Sequence, residues 1–133
     1  MSVQLNHTIV SARDPLTSAT FLAEILGCVA PVPFGPFQGV TVDNGVTLDY
    51  MRDDGGFPAQ HFAFLVSEEE FDMIFGRIRA RGLSYWADPH HAQAGRINHN
   101  DGGRGVYWDD PDGHMLELLT RPYGSGSGSG GSG

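Results

Sequence analysis

The sequence predicts an α+β fold built from two βαβββ units. Three observations support this prediction: a strand-like segment followed by a helix occurs twice, each helix has its own start and stop signals, and each half ends in a hairpin-like pair of strands. A single unit of this kind cannot cover both faces of its sheet. We therefore expect the two units, about residues 3–52 and 60–121, to share one curved eight-stranded sheet with the helices on its outer face.

The first unit begins with an alternating segment, VQLNHTIV. Side chains alternate along an extended chain, so one face of this strand is expected to carry four residues: Val3, Leu5, His7 and Ile9. Asp14 and Pro15 then supply a helix start, and Gly27 ends that helix. The segments FQGVTVD and GVTLDYM flank Asn44 and Gly45, which predict a two-residue hairpin turn.

The second unit repeats this order. The segment HFAFLV predicts a strand, Ser67 with Glu70 forms a capping box, and Gly82 closes the second helix. A strand is expected at residues 83–87, followed by a long loop. The segments GVYWDD and HMLELLT are then joined across a turn at residues 111–113.

Composition limits the domain count and the partners. The last ten residues, GSGSGSGGSG, have the composition of a flexible linker, so residues 1–123 are expected to form a single domain and 124–133 a Gly/Ser linker or appended tail. The formal net charge of −8 disfavours a nucleic acid or an anionic membrane as partner. The one cysteine, and no leader-like or 18-residue apolar run, lead us to expect a cytoplasmic protein.

Three residues of ligand type lie at the centres of strand-like segments: His7, His61 and Glu117. Glu117 is flanked on both sides by the apolar residues of HMLELLT, where a carboxylate is costly to bury without a proton, a cation or a metal as partner. Two neutral imidazoles and one carboxylate hold a divalent ion and leave positions open for a substrate. The pattern therefore predicts a metal site if these strands converge.

The segments LNHTIV, HFAFLVSEEEF and YWDDPDGHMLEL resemble the vicinal oxygen chelate superfamily, which includes glyoxalase I, fosfomycin-resistance transferases, bleomycin-binding proteins and extradiol dioxygenases. The resemblance spans residues 3–121. It implies a divalent metal held by His7, His61 and Glu117, which binds two neighbouring oxygens of a small-molecule substrate. Fe(II) or Mn(II) is favoured, with Zn, Ni or Co as alternatives. It also implies a homodimer, including the arrangement in which His7 faces the partner's His61 and Glu117.

Within this superfamily, the loop GRINHNDGGRGVY resembles the ring-cleaving dioxygenases. Tyr107 lies ten residues before Glu117, where those enzymes place a tyrosine near the substrate, and its phenol could donate to a substrate oxyanion. Asn98 stands where a gapless register expects a further histidine, and His99 is the neighbouring candidate for proton transfer. We therefore predict a metal-dependent enzyme with dioxygenase-type chemistry and with Tyr107 and His99 as catalytic residues.

Other reaction classes stay open. Glyoxalase-like isomerases or lyases usually take a fourth ligand from the last strand of the first half, where this chain has Thr47 or Asp49. A small-molecule transferase is the other enzymatic alternative, although all eight cations are arginines and the lysine of the fosfomycin pocket has no counterpart. In that case Arg96 and Arg104 could bind a substrate carboxylate. A non-catalytic, ligand-sequestering protein, or an engineered variant with a linker, also fits the sequence.

Overall fold

The computed structural model describes residues 2–126 and divides into two compact units. Among the described residues, the first unit comprises 2–60 with 110–112, and the second unit comprises 61–109 with 113–126. Most of the predicted linker, residues 127–133, lies outside the described residues. Neither helix between residues 2 and 126 has the length and apolar character needed to cross a membrane.

The first unit contains four strands and one helix: β1 (His7–Ala12), α1 (Pro15–Leu26), β2 (Val32–Phe34), β3 (Phe37–Thr41) and β4 (Thr47–Arg52). The strands form a sheet in the order β1-β4-β3-β2, with β1 parallel to β4 and the other pairs antiparallel. The Asp14 carboxylate accepts from Thr17 N at the start of α1, and Gly27 ends the helix at φ 76°. Both predicted helix boundaries are confirmed.

The buried face of β1 is the one opposite His7 and Ile9. Val10 and Ala12 are fully buried, whereas Val3 and Leu5 precede the strand and are exposed. The reason is that α1 packs against β1, β3 and β4 and covers the face that carries Val10 and Ala12. The predicted alternation is correct, and His7 is exposed on the open face of the sheet, which α1 does not cover.

The hairpin between β3 and β4 lies where Asn44 and Gly45 predicted it, with a longer turn. Val42 N donates to Val46 O at 2.9 Å, so three residues close the loop instead of two. Gly45 adopts φ 87°, a conformation that side chains disfavour.

The second unit contains three strands, one helix and a short 3-10 turn: β5 (His61–Leu65), α2 (Glu68–Ala80), the turn Asn100–Gly102, β6 (Gly105–Asp109) and β7 (Met115–Leu119). The strand order is β5-β7-β6, with β5 parallel to β7 and β6 antiparallel to it. The predicted capping box is present, because Glu70 N donates to Ser67 Oγ at 3.1 Å and Ser67 N donates to Glu70 Oε1 at 3.0 Å. Each unit has a helix between two parallel strands, which confirms the predicted α+β class with two repeated units.

The strand predicted at residues 83–87 is reduced to a bridge. Trp86 exchanges two backbone hydrogen bonds of 2.9 Å with Tyr107, but the chain then turns away at Asp88. The Asp88 carboxylate accepts three backbone N–H groups of the following loop, those of His90, Ala92 and Gln93. This local turn competes with an extended strand. The described strands therefore number seven, in one four-stranded and one three-stranded sheet, instead of the predicted eight in one sheet.

Arg104 connects the start of β6 to α2. Its guanidinium donates to Glu68 Oε1 at 2.7 Å and Asp72 Oδ1 at 2.8 Å, and it lies 4.4 Å from the ring centroid of Phe71. These contacts commit the side chain to the fold of the second unit. They do not favour the alternative in which Arg104 binds a substrate carboxylate.

Candidate metal site

The parallel pairing of β5 and β7 brings two predicted ligands together. Ala63 of β5 pairs with Glu117 of β7, so His61 lies two residues before the position opposite the glutamate. The side chains meet, with His61 Nε2 3.1 Å from Glu117 Oε1. The Glu117 side chain is 1% exposed and that of His61 is 42% exposed. A buried carboxylate therefore faces an imidazole that is accessible from solvent.

The second ring nitrogen of His61 decides what this pair can bind. Nδ1 lies 3.0 Å from the Met115 carbonyl oxygen, which can only accept a hydrogen bond. Nδ1 therefore carries the proton, and in a neutral imidazole Nε2 presents its lone pair toward Glu117. A lone pair and a carboxylate oxygen attract each other only through a cation or proton between them. The donor chemistry of the pair thus fits a divalent metal.

Two tyrosines complete the surroundings of Glu117. Tyr107 of β6 pairs directly with Glu117 across the sheet, and its ring stacks near His61 with 6.1 Å between the ring centroids. Tyr123 donates its hydroxyl proton to Glu117 Oε2 at 2.6 Å, and its oxygen lies 3.1 Å from the Tyr107 hydroxyl. Because a phenol has one proton, the Tyr107 hydroxyl must be the donor to Tyr123.

Both phenols are less acidic than usual. Burial is the main cause that raises the pKa of Tyr107, and the negative charge of Glu117 adds to it. Burial also raises the pKa of Tyr123, with its hydrogen bond to Glu117 as the next cause. Both side chains therefore stay protonated at neutral pH and serve as hydrogen-bond donors.

Sequence reasoning missed Tyr123. The residue follows Pro122 after the end of β7, outside any strand whose alternation could assign it to a face. A lone aromatic residue six positions after a candidate ligand is the only sequence signal for it. Its position depends on how the chain folds back after β7.

His7, the third predicted ligand, belongs to the first unit. Its Nδ1 lies 2.7 Å from Asn6 Oδ1, which leaves Nε2 as the nitrogen that can bind a ligand. Ile9, two residues later, pairs with Asp49 of β4. Asp49 therefore occupies the register position in the first unit that Glu117 occupies in the second, and of the two alternatives, Thr47 and Asp49, the register selects Asp49.

An open concavity of about 440 Å³ lies beside His7 in the first unit. Its apolar wall is formed by Ile9, Val32, Phe34 and Phe37. The remaining lining residues are small or polar: Asn6, His7, Gly39, Thr41, Thr47 and Asp49. A volume of this size holds a small organic molecule, and apolar walls with a few polar groups are typical of such sites.

The structure places the other loop candidates away from these hydrogen bonds. His99 is exposed at the start of the 3-10 turn and makes none of the hydrogen bonds that surround Glu117. Asn98 donates from Nδ2 to the Ala87 carbonyl at 2.9 Å and so holds the loop. The catalytic role predicted for His99 stays a prediction.

The structure brings His61, Glu117 and Tyr107 together in the second unit, whereas His7 belongs to the first unit. Between residues 2 and 126, no three His, Cys, Asp or Glu side chains form a group that could hold a metal ion. The pair His61 and Glu117 is thus two thirds of the predicted ligand set.

Comparison with known proteins adds the family. No family model matches the chain. The solved structure of Oxidase ChaP-H1 is 66% identical, covers 92% of this chain and 99% of its own, and has a TM-score of 0.90. Glutathione transferase FosA of Serratia marcescens is 32% identical, with 89% of this chain and 81% of the relative covered. Metallothiol transferase FosB of Lysinibacillus sphaericus is 27% identical, with 90% and 84% covered.

The chain belongs to the vicinal oxygen chelate superfamily, as its three motifs predicted. The relatives named above are enzymes, and their names cover oxidation and group transfer. The family is therefore established.

Proposed function

We propose that the protein is a divalent-metal-dependent enzyme that oxidises a small molecule bound through two neighbouring oxygens, with dioxygenase-type chemistry as the first choice. The observation that carries the proposal is the His61 and Glu117 pair, whose Nε2 and Oε1 atoms lie 3.1 Å apart with Nδ1 anchored on a backbone carbonyl. The 66% identity to a protein named as an oxidase supports oxidation over the alternatives.

His61, Glu117 and a His7 would hold the ion. When bound, the metal would act as a Lewis acid for the two substrate oxygens and as the centre for oxygen chemistry. Fe(II) or Mn(II) is our preference, with Zn, Ni and Co as alternatives, and the word metallothiol in the name of the FosB relative supports metal dependence in general. A homodimer in which His7 faces the partner's His61 and Glu117 would complete the set.

The remaining roles belong to residues of this chain. Tyr107 stacks beside His61, with 6.1 Å between the ring centroids, and its proton can pass to a substrate oxygen that replaces Tyr123 as acceptor. The apolar wall beside His7, with Phe34 and Phe37, suits the ring of a catechol or of a hydroxy-keto compound. His99 is retained as a second candidate for proton transfer because it is exposed and free to reorient.

Group transfer is the second candidate function. The names of the FosA and FosB relatives favour it. Against it, the chain has no lysine and Arg104 is committed to Glu68 and Asp72. A glyoxalase-like isomerase is favoured only by Asp49, which occupies the register position of a fourth ligand.

The first experiment tests the metal. Metal content per chain is measured after anaerobic reconstitution with Fe(II), Mn(II) and Zn(II) in the parent, in Glu117→Ala and in a control, Glu69→Ala, which removes an exposed carboxylate of α2. We expect one ion per chain in the parent and the control, and none in Glu117→Ala. Equal or negligible metal in all three would contradict the proposal and leave a metal-free binding protein.

The second experiment tests the reaction. Oxygen uptake by the Fe(II) and Mn(II) forms is followed with a panel of catechols and hydroxy-keto compounds. We expect uptake that depends on both metal and substrate and that falls about 100-fold or more in Tyr107→Phe if the phenol transfers a proton. A metal-loaded protein that consumes no oxygen across the panel, yet couples a thiol to an electrophile, would replace oxidation with group transfer.

A further inference from the structure

The two oxygens of Glu117 have different environments. Oε2 accepts a short hydrogen bond of 2.6 Å from the Tyr123 hydroxyl, while Oε1 faces His61 Nε2 at 3.1 Å. Tyr107 donates to the Tyr123 oxygen and thereby directs the Tyr123 proton toward Oε2. The carboxylate is therefore held from one side by a phenol and open to a cation on the side of the histidine.

The segment that carries Tyr123, residues 120–126, is named the tail here. It is held in a tight turn, because the N and Oγ atoms of Ser125 both donate to the Pro122 carbonyl, at 3.1 and 2.6 Å. Its end is anchored where Gly126 N donates to Asp101 Oδ1 at 3.0 Å. Tyr123 thus lies between two fixed points.

The anchor for the tail is formed by the loop before β6. Asp101 adopts a left-handed backbone conformation with φ 56°, which is costly for a residue with a side chain. A Cβ atom on Gly103 would overlap the side chains of Thr120 and Arg121, so the backbone of this loop lies directly against the tail. The strained backbone at Asp101 therefore lies where the tail is bound.

We propose that Tyr123 is a positioning residue that acts through Glu117, fixing Oε2 so that Oε1 is the oxygen offered to the metal beside His61. This inference rests on the proposed function, since it assigns Glu117 to the metal. A carboxylate held by one strong hydrogen bond has lost the freedom to rotate and to bind a cation with both oxygens. The tail, folded against Asp101, is the element that delivers the phenol.

The experiment measures dissociation constants for Zn(II) and Mn(II) by competition with a chelator. Tyr123→Phe keeps the ring and removes only the hydroxyl. We expect it to bind metal about 10- to 100-fold more weakly than the parent, the usual effect of losing a hydrogen bond to a ligand. Its Co(II) form should also show weaker visible absorption, because a freed carboxylate that binds through both oxygens raises the coordination number. A merely structural role would change neither measurement.

Two further variants complete the test. Tyr85→Phe is the matched control, because its ring packs edge-on against Phe75 of α2, and it should bind metal like the parent. Gly126→Ala keeps the phenol, but its Cβ would lie 2.7 Å from Asp101 Cα and must displace the tail, so a smaller loss of affinity is expected.

The outcomes separate the two proposals. A parent that binds no divalent ion refutes the proposed function, and the inference is refuted with it. A parent that binds tightly, together with a Tyr123→Phe variant of equal affinity and equal Co(II) spectrum, refutes the inference alone. Melting temperatures of the metal-free variants, which should match the parent within a degree or so because Tyr123 is more than half exposed, exclude unfolding as the cause.

Discussion

Asp112 in the first unit and Glu117 in the second are both buried carboxylates, with side chains 3% and 1% exposed, but they have different partners. Asp112 accepts from the backbone N and the Nη1 of Arg13, both at 3.1 Å, and from Ser18 Oγ at 2.6 Å. These donors lie just before α1 and in its first turns, and all three hydrogen bonds stabilise the fold. The carboxylate is fully used by the fold.

Glu117 has instead a histidine and a tyrosine as partners. His61 offers the lone pair of Nε2 to a metal, and Tyr123 donates to only one of the two carboxylate oxygens. The contrast teaches that burial of a carboxylate does not by itself mark a functional site. The chemistry of its donors does, since a backbone N–H or a guanidinium cannot be replaced by a cation whereas an imidazole lone pair can bind one.

The largest expected effect is the stabilisation of the folded protein by a bound metal, which should require Glu117 but not Asp112. An ion that binds only the folded protein stabilises it by about 2.7 kcal/mol at 100 times the dissociation constant. We expect Mn(II) or Zn(II) at that excess to raise the melting temperature of the parent and of Asp112→Asn but not of Glu117→Gln. If the ion stabilised all three proteins equally, Glu117 would not be a metal ligand.

In the metal-free protein, we expect a substitution of Asp112 to destabilise the fold more than a substitution of Glu117. Asp112→Ala should lower the free energy of unfolding by about 2 kcal/mol, since hydrogen bonds to a charged group are lost and the buried Ser18 hydroxyl loses its acceptor. Glu117→Gln should cost less, because it retains an acceptor for Tyr123. Urea denaturation measures both, with Asp54→Ala, at an exposed ion pair with Arg52, as a control near the parent value.

A greater loss of stability in Glu117→Gln than in Asp112→Ala would mean that Glu117 is chiefly a structural residue. The same result would weaken the assignment of His61 and Glu117 to a metal.

The smallest effect concerns an exposed carboxylate. Hydrogen bonds from Thr120 and then from Arg104 lower the pKa of Glu68 below its ordinary value of 4.5. The folded form therefore holds the ionised group more strongly, so this contribution is complete above the ordinary pKa and is lost as the pH falls through the lower folded pKa. Melting temperatures of the parent and Glu68→Gln should differ slightly at about pH 7 and converge as the pH falls below the lowered folded pKa. A difference that grows on acidification would contradict this sign.

Local signals predicted the local structure well. The residues Asp14 and Gly27 bound the first helix, and Ser67 with Glu70 caps the second, because caps are satisfied by neighbours within a few positions. The strand predicted at residues 83–87 was wrong, because the Asp88 turn redirects the chain. Alternation gave the two faces of β1 but not which of them is buried, because only the packing of α1 selects one.

The sequence by itself determined the family, the class of fold and the choice of His61 and Glu117 as candidate ligands, since these depend on residue types at fixed positions within short segments. Only the tertiary structure decided the partners of the two buried carboxylates. Ser18 and Asp112 are 94 positions apart in the chain, and Tyr123 reaches Glu117 through a tail that belongs to no strand. Such contacts depend on backbone turns and packing between distant segments, which no local periodicity encodes.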